Sequence, residues 1–265
     1  MTLRQLFYRT VSAGKLPSTD AAHYRRLGAV MTRLRERGVV PLDWLVDSLR
    51  ATYKPSSWSG LGDFGETVRD RYRRDFWRDQ HIAIHAVCEK DAVAGTIQPV
   101  TAEYDVPLHV LRGYPSLSFA GTIAAEMRRT RKPIACFYVG DFDPSGFDIE
   151  RDARAKLERW SGKRFDGRAM EWRRLGVVAA DFEAFDLLPL PVKASDVRAQ
   201  AFARTHGTRC AEIDALPPTE LRRRVREAIE ETIDRDEWER LRTIEAAERE
   251  TLDTVTRTWG ASDVT

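Results

Sequence analysis

Between residues 81 and 160, short apolar segments alternate with amphipathic segments, and the connections between them are short. The apolar segments HIAIHAVCE, VPLHVLRGY and KPIACFYVGD have the length and composition of strands, and the segments that follow each of them have helical spacing. This alternation favours a parallel sheet with helices on its faces. We therefore predict an α/β fold built on a mainly parallel sheet.

The chain on both sides of this sheet has a helical pattern. Residues 1–60 predict two helices, the second rich in arginine, and then a short extended segment, which is compatible with a winged-helix-like DNA-binding domain. Residues 61–80 follow the linker KPSSWSGLG and predict a connecting helix over about 63–79. The sheet domain is then expected at 81–217, with a helical C-terminal extension at 218–265.

The charge of the chain is unevenly distributed. The formal net charge is +2, but it is +6 over residues 1–80 and −6 over residues 181–265. A basic N-terminal part predicts a polyanionic partner, and ordinary surface solvation is the alternative. Arginines on the second helix are the candidates for contacts with the backbone of double-stranded DNA. They are Arg25, Arg26, Arg33 and Arg37.

Hydropathy and cysteine spacing bear on localisation. No run of 18 apolar residues exists, so no membrane span is expected, and the N-terminus lacks a secretory pattern. Cys88, Cys136 and Cys210 lack the spacing of metal ligands, which predicts free thiols. These features favour a cytoplasmic protein, associated with the nucleoid if DNA is its partner. His85, in the middle of a predicted strand, is expected to be a packed core residue or a support for the site residues, with a catalytic base as the alternative.

Three acidic residues follow predicted strands. Glu89 ends the first strand, Asp141 ends the third, and Asp143 points the same way as Asp141 if the chain is still extended. Ligands bind beyond the carboxyl ends of strands in such sheets, where the three carboxylates would raise one another's pKa. A Mg²⁺ ion, with Mn²⁺ as an alternative, removes that conflict. The competing interpretation is that Asp143, which precedes Pro144, caps a turn or helix.

Four stretches in this part of the chain resemble a known family. CEKDAV, RGYPSLS, GDFDPSGFDI and TRCAEIDAL follow one another from about residue 85 to residue 216. In type and order they resemble the Toprim domain of the topoisomerase VI A subunit and of its relative, the meiotic double-strand-break transesterase. The resemblance implies a Rossmann-like Toprim domain after a winged-helix domain.

The segment TLRQLFYRT resembles the family's helix that carries an arginine three residues before an aromatic-tyrosine pair. The resemblance implies that Tyr8 attacks DNA and forms a 5′-phosphotyrosyl link, with Glu89 among the catalytic acids. Arg4 and Tyr8 share a helix face, so the guanidinium is placed to hold the scissile phosphate. The alternative for Tyr8 is a half-buried structural tyrosine. Lys90 either contacts phosphate or is a solvated residue at a helix start.

The resemblance also implies partners. The family acts as a homodimer in which the tyrosine of one subunit works with the metal site of the other. No ATPase signature is present, so ATP-driven strand passage would need a separate GHKL-type ATPase subunit. Two other functions remain open. One is a metal-dependent hydrolytic DNA nuclease, similar to plasmid-defence nucleases, and the other is a catalytically inactive DNA-binding protein.

Overall fold

The computed structural model describes residues 1–45, 55–193 and 195–261 of the 265-residue chain. Two compact units are present, each made of separated segments. They are Met1–Arg50 with Ile82–Glu231, and Ala51–His81 with Thr232–Thr265. The domain boundaries expected at residues 60, 80 and 217 stay predictions.

The first unit contains a parallel sheet, which confirms the predicted α/β class. Its strands are β1 (Ala83–Cys88), β2 (Leu108–Val110), β3 (Ile134–Val139) and β4 (Met170–Gly176). Their order is β2-β1-β3-β4, and every neighbouring pair is parallel. Strand β3 is buried along its whole length, as its unbroken apolar sequence predicts for the centre of a covered sheet.

The helices and two short strands complete the described structure. The helices are α1 (Leu3–Ser12), α2 (Ala21–Glu36), α3 (Leu61–Arg71), α4 (Asp91–Glu103), α5 (Leu117–Arg129), α6 (Pro144–Ser161), α7 (Asp181–Ala184), α8 (Ala199–His206), α9 (Pro218–Glu230) and α10 (Arg235–Ala261). Strands β5 (Leu190–Pro191) and β6 (Arg209–Cys210) form an antiparallel pair. Among the described residues, no helix combines the length and the apolar character needed to cross a membrane.

The register of the central strands sets the position of the acidic residues. Cys88 of β1 pairs with Val139 of β3, so the two strands end at the same level. The N–H of Glu89 continues this pairing by donating to the carbonyl of Val139 at 3.0 Å. The residues that follow the two strands, Glu89 and Asp141, are therefore brought to one carboxyl edge of the sheet.

The N-terminal helices agree with the sequence, but the segment after them differs. An extended segment was expected after α2, and the structure has a 3₁₀ turn at Leu42–Trp44, which the N–H of Trp44 closes on the carbonyl of Pro41. The rest of that segment, 46–54, lies outside the described residues. No strand is assigned within residues 1–45, so the winged-helix domain stays a prediction.

The second unit contains α3 and α10. A helix was expected over about 63–79. The observed helix α3 begins two residues earlier, at Leu61, and ends at Arg71. Beyond it, the backbone N–H of Arg74 donates to the Glu245 carboxylate of α10 at 3.0 Å, and the Tyr72 hydroxyl donates to Glu248 at 2.6 Å. The Arg74 contact gives that backbone N–H a partner outside the helix, and the Tyr72 contact adds a side-chain bond to α10.

The turn from β3 into α6 explains the sequence DPSG at the start of that helix. Asp143 is the N-cap and accepts from the N–H of Gly146 at 2.7 Å, and Pro144 opens the helix, where its missing N–H costs nothing. A Cβ at Gly146 would lie 2.5 Å from the backbone oxygen of Asp141. The glycine therefore lets the helix start directly against the acidic edge of the sheet.

Gly146→Ala is expected to destabilise the chain by about 1–3 kcal/mol, because the added methyl group must displace buried backbone. The measurement is urea unfolding followed by circular dichroism. Gly121→Ala in α5 is the matched control, because no heavy atom lies within 4 Å of its Cβ position. That control is expected to raise stability by about 0.5–1 kcal/mol. Equal effects of the two substitutions would contradict the close approach at Gly146.

Candidate functional site

Glu89 and Asp141 meet at the carboxyl edge of β1 and β3. Both residues are buried, each with 6% of its surface exposed. The backbone N–H of Asp141 donates to Oε2 of Glu89 at 3.0 Å. Oδ1 of Asp141 accepts from the backbone N–H of Ile213 at 2.9 Å. The two predicted ligands are therefore neighbours held by backbone hydrogen bonds.

A second acidic pair, Glu212 and Asp214, reaches the same edge from far along the chain. Phe142 and Ala211 form an isolated antiparallel bridge with reciprocal backbone bonds of 2.8 and 2.9 Å. This bridge lays the segment after β6 beside the residues that follow β3. As a result, four carboxylates lie in one region of the first unit.

Lys90 joins the two acidic pairs. Its Nζ lies 2.6 Å from Oδ2 of Asp141 and 3.4 Å from Oε2 of Glu212. The ammonium group therefore partly neutralises the acids, so the interpretation of Lys90 as a solvated residue at a helix start is wrong. Its place as the N-cap of α4 is correct, but its side chain turns into the cluster. Whether it also contacts phosphate stays a prediction.

Asp214 is the least satisfied carboxylate of the cluster. It is 1% exposed, and neither of its carboxylate oxygens has a hydrogen-bond partner. The nearest cation is Arg4, whose Nε lies 3.6 Å from Oδ2. Burial raises the pKa of Asp214 from 3.8 to about 6, against the opposing effects of Lys90 and Arg4. A buried carboxylate without partners is costly, which marks this position as one where a ligand would be stabilising.

Helix α1 brings Arg4 and Tyr8 to the same cluster. Nε of Arg4 donates to Oε2 of Glu212 at 3.0 Å, and the guanidinium carbon lies 5.9 Å from the centre of the Tyr8 ring. Tyr8 is half-buried, and burial together with the neighbouring Glu212 carboxylate raises its pKa above its ordinary value. In the structure, then, Arg4 neutralises acids, and Tyr8 is a phenol that keeps its proton beside Glu212.

A buried glutamine fixes the position of α1. Gln5 is 1% exposed, and its Nε2 donates to Oγ1 of Thr96 in α4 at 2.7 Å. Its Oε1 accepts from the N–H of Thr2, which also caps the helix. Phe7 is buried beside Tyr24 of α2 at 5.2 Å between ring centres, as its place in the apolar stripe of α1 predicts.

The electrostatics of Glu89 and Asp141 reflect their burial. Burial and the neighbouring charge of Asp141 raise the pKa of Glu89 from 4.5 to about 7. Burial likewise raises the pKa of Asp141, although Lys90 opposes the shift. Burial would also raise the pKa of Glu212, but Lys90, the neighbouring Tyr8 and Arg4 outweigh it and the pKa is lowered. Glu212 is thus the carboxylate that stays ionised beside the phenol.

Asp143, the third predicted ligand, is the N-cap of a helix, as the competing interpretation of this residue predicts. It caps α6 and is only partly buried, although its charge contributes to the raised pKa of Glu89. Three of the four predicted DNA-binding arginines lie on α2, the fourth is its C-cap, and no residue of that helix is buried. Arg25, Arg26, Arg33 and Arg37 are all exposed.

A different group has the tightest spacing of potential metal ligands. In the described ranges 1–45, 55–193 and 195–261, only His85, His109 and Glu126 place three such atoms within 4.8 Å of one another. Glu89, Asp141 and Asp143 do not meet that spacing. Burial and the neighbouring His109 lower the pKa of His85 to about 3, and burial lowers the pKa of His109 to about 4. Both rings are therefore neutral near pH 7.

Sequence reasoning missed Glu212 and Asp214 as site residues. Their signal was present, since they repeat the one-residue separation of Asp141 and Asp143, but only the long-range bridge at Phe142 assigns them to this site. No protein-family model and no curated protein matches the sequence of this chain.

Proposed function

We propose that this protein is a magnesium-dependent DNA-cleaving enzyme that uses Tyr8 as its nucleophile, similar to the A subunit of a type IIB topoisomerase. One observation carries the proposal. An unbroken series of contacts runs from Arg4, which shares a helix face with Tyr8, through Glu212, Lys90 and Asp141 to Glu89. The candidate nucleophile and the candidate metal ligands are thus parts of one cluster rather than two separate features.

The donor set of the cluster fits a hard divalent cation. Mg²⁺ binds through one or two carboxylates and keeps several waters, so Glu89 and Asp141 suffice as direct ligands, with Asp143 as the third acid. The raised pKa of Glu89 and the unpartnered oxygens of Asp214 support a missing positive charge in this region. When bound, Mg²⁺, or Mn²⁺ in its place, would neutralise phosphate oxygens and stabilise the charge that develops there.

The chain's own residues account for the proton and the attack. Glu212 is charged and lies near the Tyr8 hydroxyl, so it is placed to take the phenolic proton. The phenolic oxygen of Tyr8 then bonds to phosphorus, and the bond from phosphorus to the 3′ oxygen breaks. The 3′ oxygen leaves as a hydroxyl by taking a proton from water, to which Glu212 returns the phenolic proton, and the DNA 5′ end stays linked to Tyr8. Arg4 binds the phosphate once DNA displaces its contact with Glu212.

The partners follow from the same proposal. The exposed arginines of α2 bind the DNA backbone, which gives salt-sensitive affinity with little sequence preference. The resemblance implies that the tyrosine of one subunit works with the metal site of the other, so that a monomer is inactive. In this structure α1, which carries Tyr8, contacts the acids of its own chain through Arg4 and Glu212, so the proposal departs from that expectation and lets one chain nick one strand. Cutting both strands requires a homodimer. A separate ATPase subunit would be needed for strand passage.

A second function is favoured by a specific observation. Burial and the neighbouring Glu212 carboxylate raise the pKa of Tyr8, which disfavours the phenolate. Glu89, with a pKa of about 7, is suited to accept a proton from water. A hydrolytic nuclease that uses the same acids, with Tyr8 as a bystander, is therefore the alternative.

One experiment separates these functions. The full chain is incubated with supercoiled plasmid and Mg²⁺ or Mn²⁺, the reaction is stopped with SDS, and DNA is measured in the phenol interphase. We expect nicked or linear DNA that is covalently bound to protein. Cut DNA that stays in the aqueous phase supports hydrolysis. Salt-sensitive binding without cutting, in either metal, would show that the protein is a DNA-binding protein without this activity.

A further inference from the structure

The facing side chains of β1, β2 and α5 include a group that the proposed DNA cleavage does not use. His109 pairs in register with Val87, two residues after His85, so both histidines lie on the same face of the sheet. That face includes Cys136, which pairs with His85 and packs against Ile123 of α5. Glu126 lies on the same helix.

The atoms in this group are close enough to share one ion. Nδ1 of His85 and Nε2 of His109 are 2.9 Å apart, and the carboxylate of Glu126 lies within 4.8 Å of both nitrogens. For metal–nitrogen bonds of about 2.0–2.1 Å, a 2.9 Å separation corresponds to an angle of roughly 90° at the ion. That angle is the one between adjacent ligands of an octahedral site.

We propose that His85, His109 and Glu126 bind a divalent transition-metal ion, of the class of Zn²⁺, Co²⁺, Ni²⁺ or Fe²⁺. Two imidazoles and one carboxylate select this class, because Mg²⁺ and Ca²⁺ prefer oxygen ligands only. The histidines are buried, at 6% and 8% exposure, and Glu126 is exposed. The protein therefore holds the ion from the inner side, and water completes its coordination from the side of Glu126.

This site is separate from the acidic cluster. His85 precedes Glu89 by four residues in an extended strand, which places the two about 13 Å apart along the chain. The proposal stands or falls independently of DNA cleavage. Without an ion, the 2.9 Å contact is a hydrogen bond in which one ring donates and the other accepts. Ion binding replaces that bond and requires the donating ring to carry its proton on the other nitrogen.

The test uses the full chain after treatment with a chelator and removal of the chelator. Zn²⁺ is titrated by calorimetry and Co²⁺ by its visible absorption, with excess Mg²⁺ present to saturate the acidic cluster. We expect one ion per chain, and a Co²⁺ spectrum that shows nitrogen ligation. Glu126→Gln is expected to lower the affinity at least roughly 10-fold, since loss of a direct ligand costs no less than loss of an outer partner. His109→Asn is expected to abolish the Co²⁺ spectrum.

Glu171→Gln is the matched control, because Glu171 is an exposed glutamate on β4, away from this group, and should leave the affinity unchanged. If His109→Asn fails to fold, the Glu126→Gln variant tests the proposal by itself. It should fold normally, because an exposed side chain is replaced by one of the same shape. Absence of saturable binding by the unmodified chain overturns the proposal. The proposal is also overturned if Glu126→Gln binds the metal ion with the affinity of the unmodified chain and gives an unchanged Co²⁺ spectrum.

Discussion

Glu89→Gln is expected to reduce DNA cleavage by roughly 10³-fold or more, because several kcal/mol of charge stabilisation depend on a metal ligand. The substitution keeps the shape of the side chain, and its amide oxygen can still accept from the N–H of Asp141. Only the negative charge at the carboxyl end of β1 is lost. The measurement is the initial rate of plasmid nicking in Mg²⁺, with Glu171→Gln as the control that should cut at the normal rate.

Stability in the absence of metal shows whether this loss is a folding defect. The pKa of Glu89 is raised from 4.5 to about 7, so the folded chain binds this proton more tightly than the unfolded chain. The contribution of Glu89 to stability therefore falls as the pH rises from about 4.5 through 7. In a chelator, Glu89→Gln should unfold at a higher urea concentration than the unmodified chain at pH 8. The stability of this variant should also depend less on pH, although Asp214, whose pKa is raised as well, keeps part of that dependence.

A lower unfolding midpoint for Glu89→Gln at pH 8 would count against this account, because the lost cleavage would then reflect a damaged fold. A normal cleavage rate for the same variant would remove Glu89 from the proposed site.

Tyr8→Phe is expected to abolish the covalent protein–DNA product. Its yield should fall by several orders of magnitude, because phenylalanine has no hydroxyl to bond to phosphorus and no other group of the chain is proposed as the nucleophile. DNA binding should change little, since the arginines of α2 are untouched. The measurement is the fraction of DNA held in the phenol interphase after an SDS stop. Tyr24→Phe is the matched control, because Tyr24 packs on Phe7 beside the same helix and has no proposed role in the chemistry.

Free nicked DNA at an undiminished rate with Tyr8→Phe would contradict transesterification and would establish water as the nucleophile. A loss of cutting with Tyr24→Phe as well would instead point to a packing requirement of α1 and α2. The pair of variants therefore separates the chemistry of the hydroxyl from the packing of the ring.

Local patterns in the sequence predict the sheet well. The apolar segments become β1, β2 and β3 in a parallel sheet, and the meeting of Glu89 with Asp141 follows from the rule that parallel strands share a carboxyl edge. Those inferences need only the residues of each segment and a general rule of topology. The N-cap role of Asp143 was also available, because its sequence context is that of a helix start.

Contacts between distant parts of the chain were not predictable in the same way. The bridge between Phe142 and Ala211, which brings Glu212 to the site, depends on the path of the intervening chain. The early end of α3 depends on α10, whose Glu245 binds the backbone beyond it. His109 is separated from His85 by a helix, so no spacing rule connects them. Each miss involves a partner that local periodicity does not specify.

The buried amide of Gln5 has a consequence for how this protein tolerates change. Because it bonds to Thr96, one of the contacts that position the tyrosine one helical turn later comes from α4, far along the chain. A substitution at Thr96 can thus misalign the phenol while every acid stays in place. Residues that never contact a substrate would then be constrained by selection for activity.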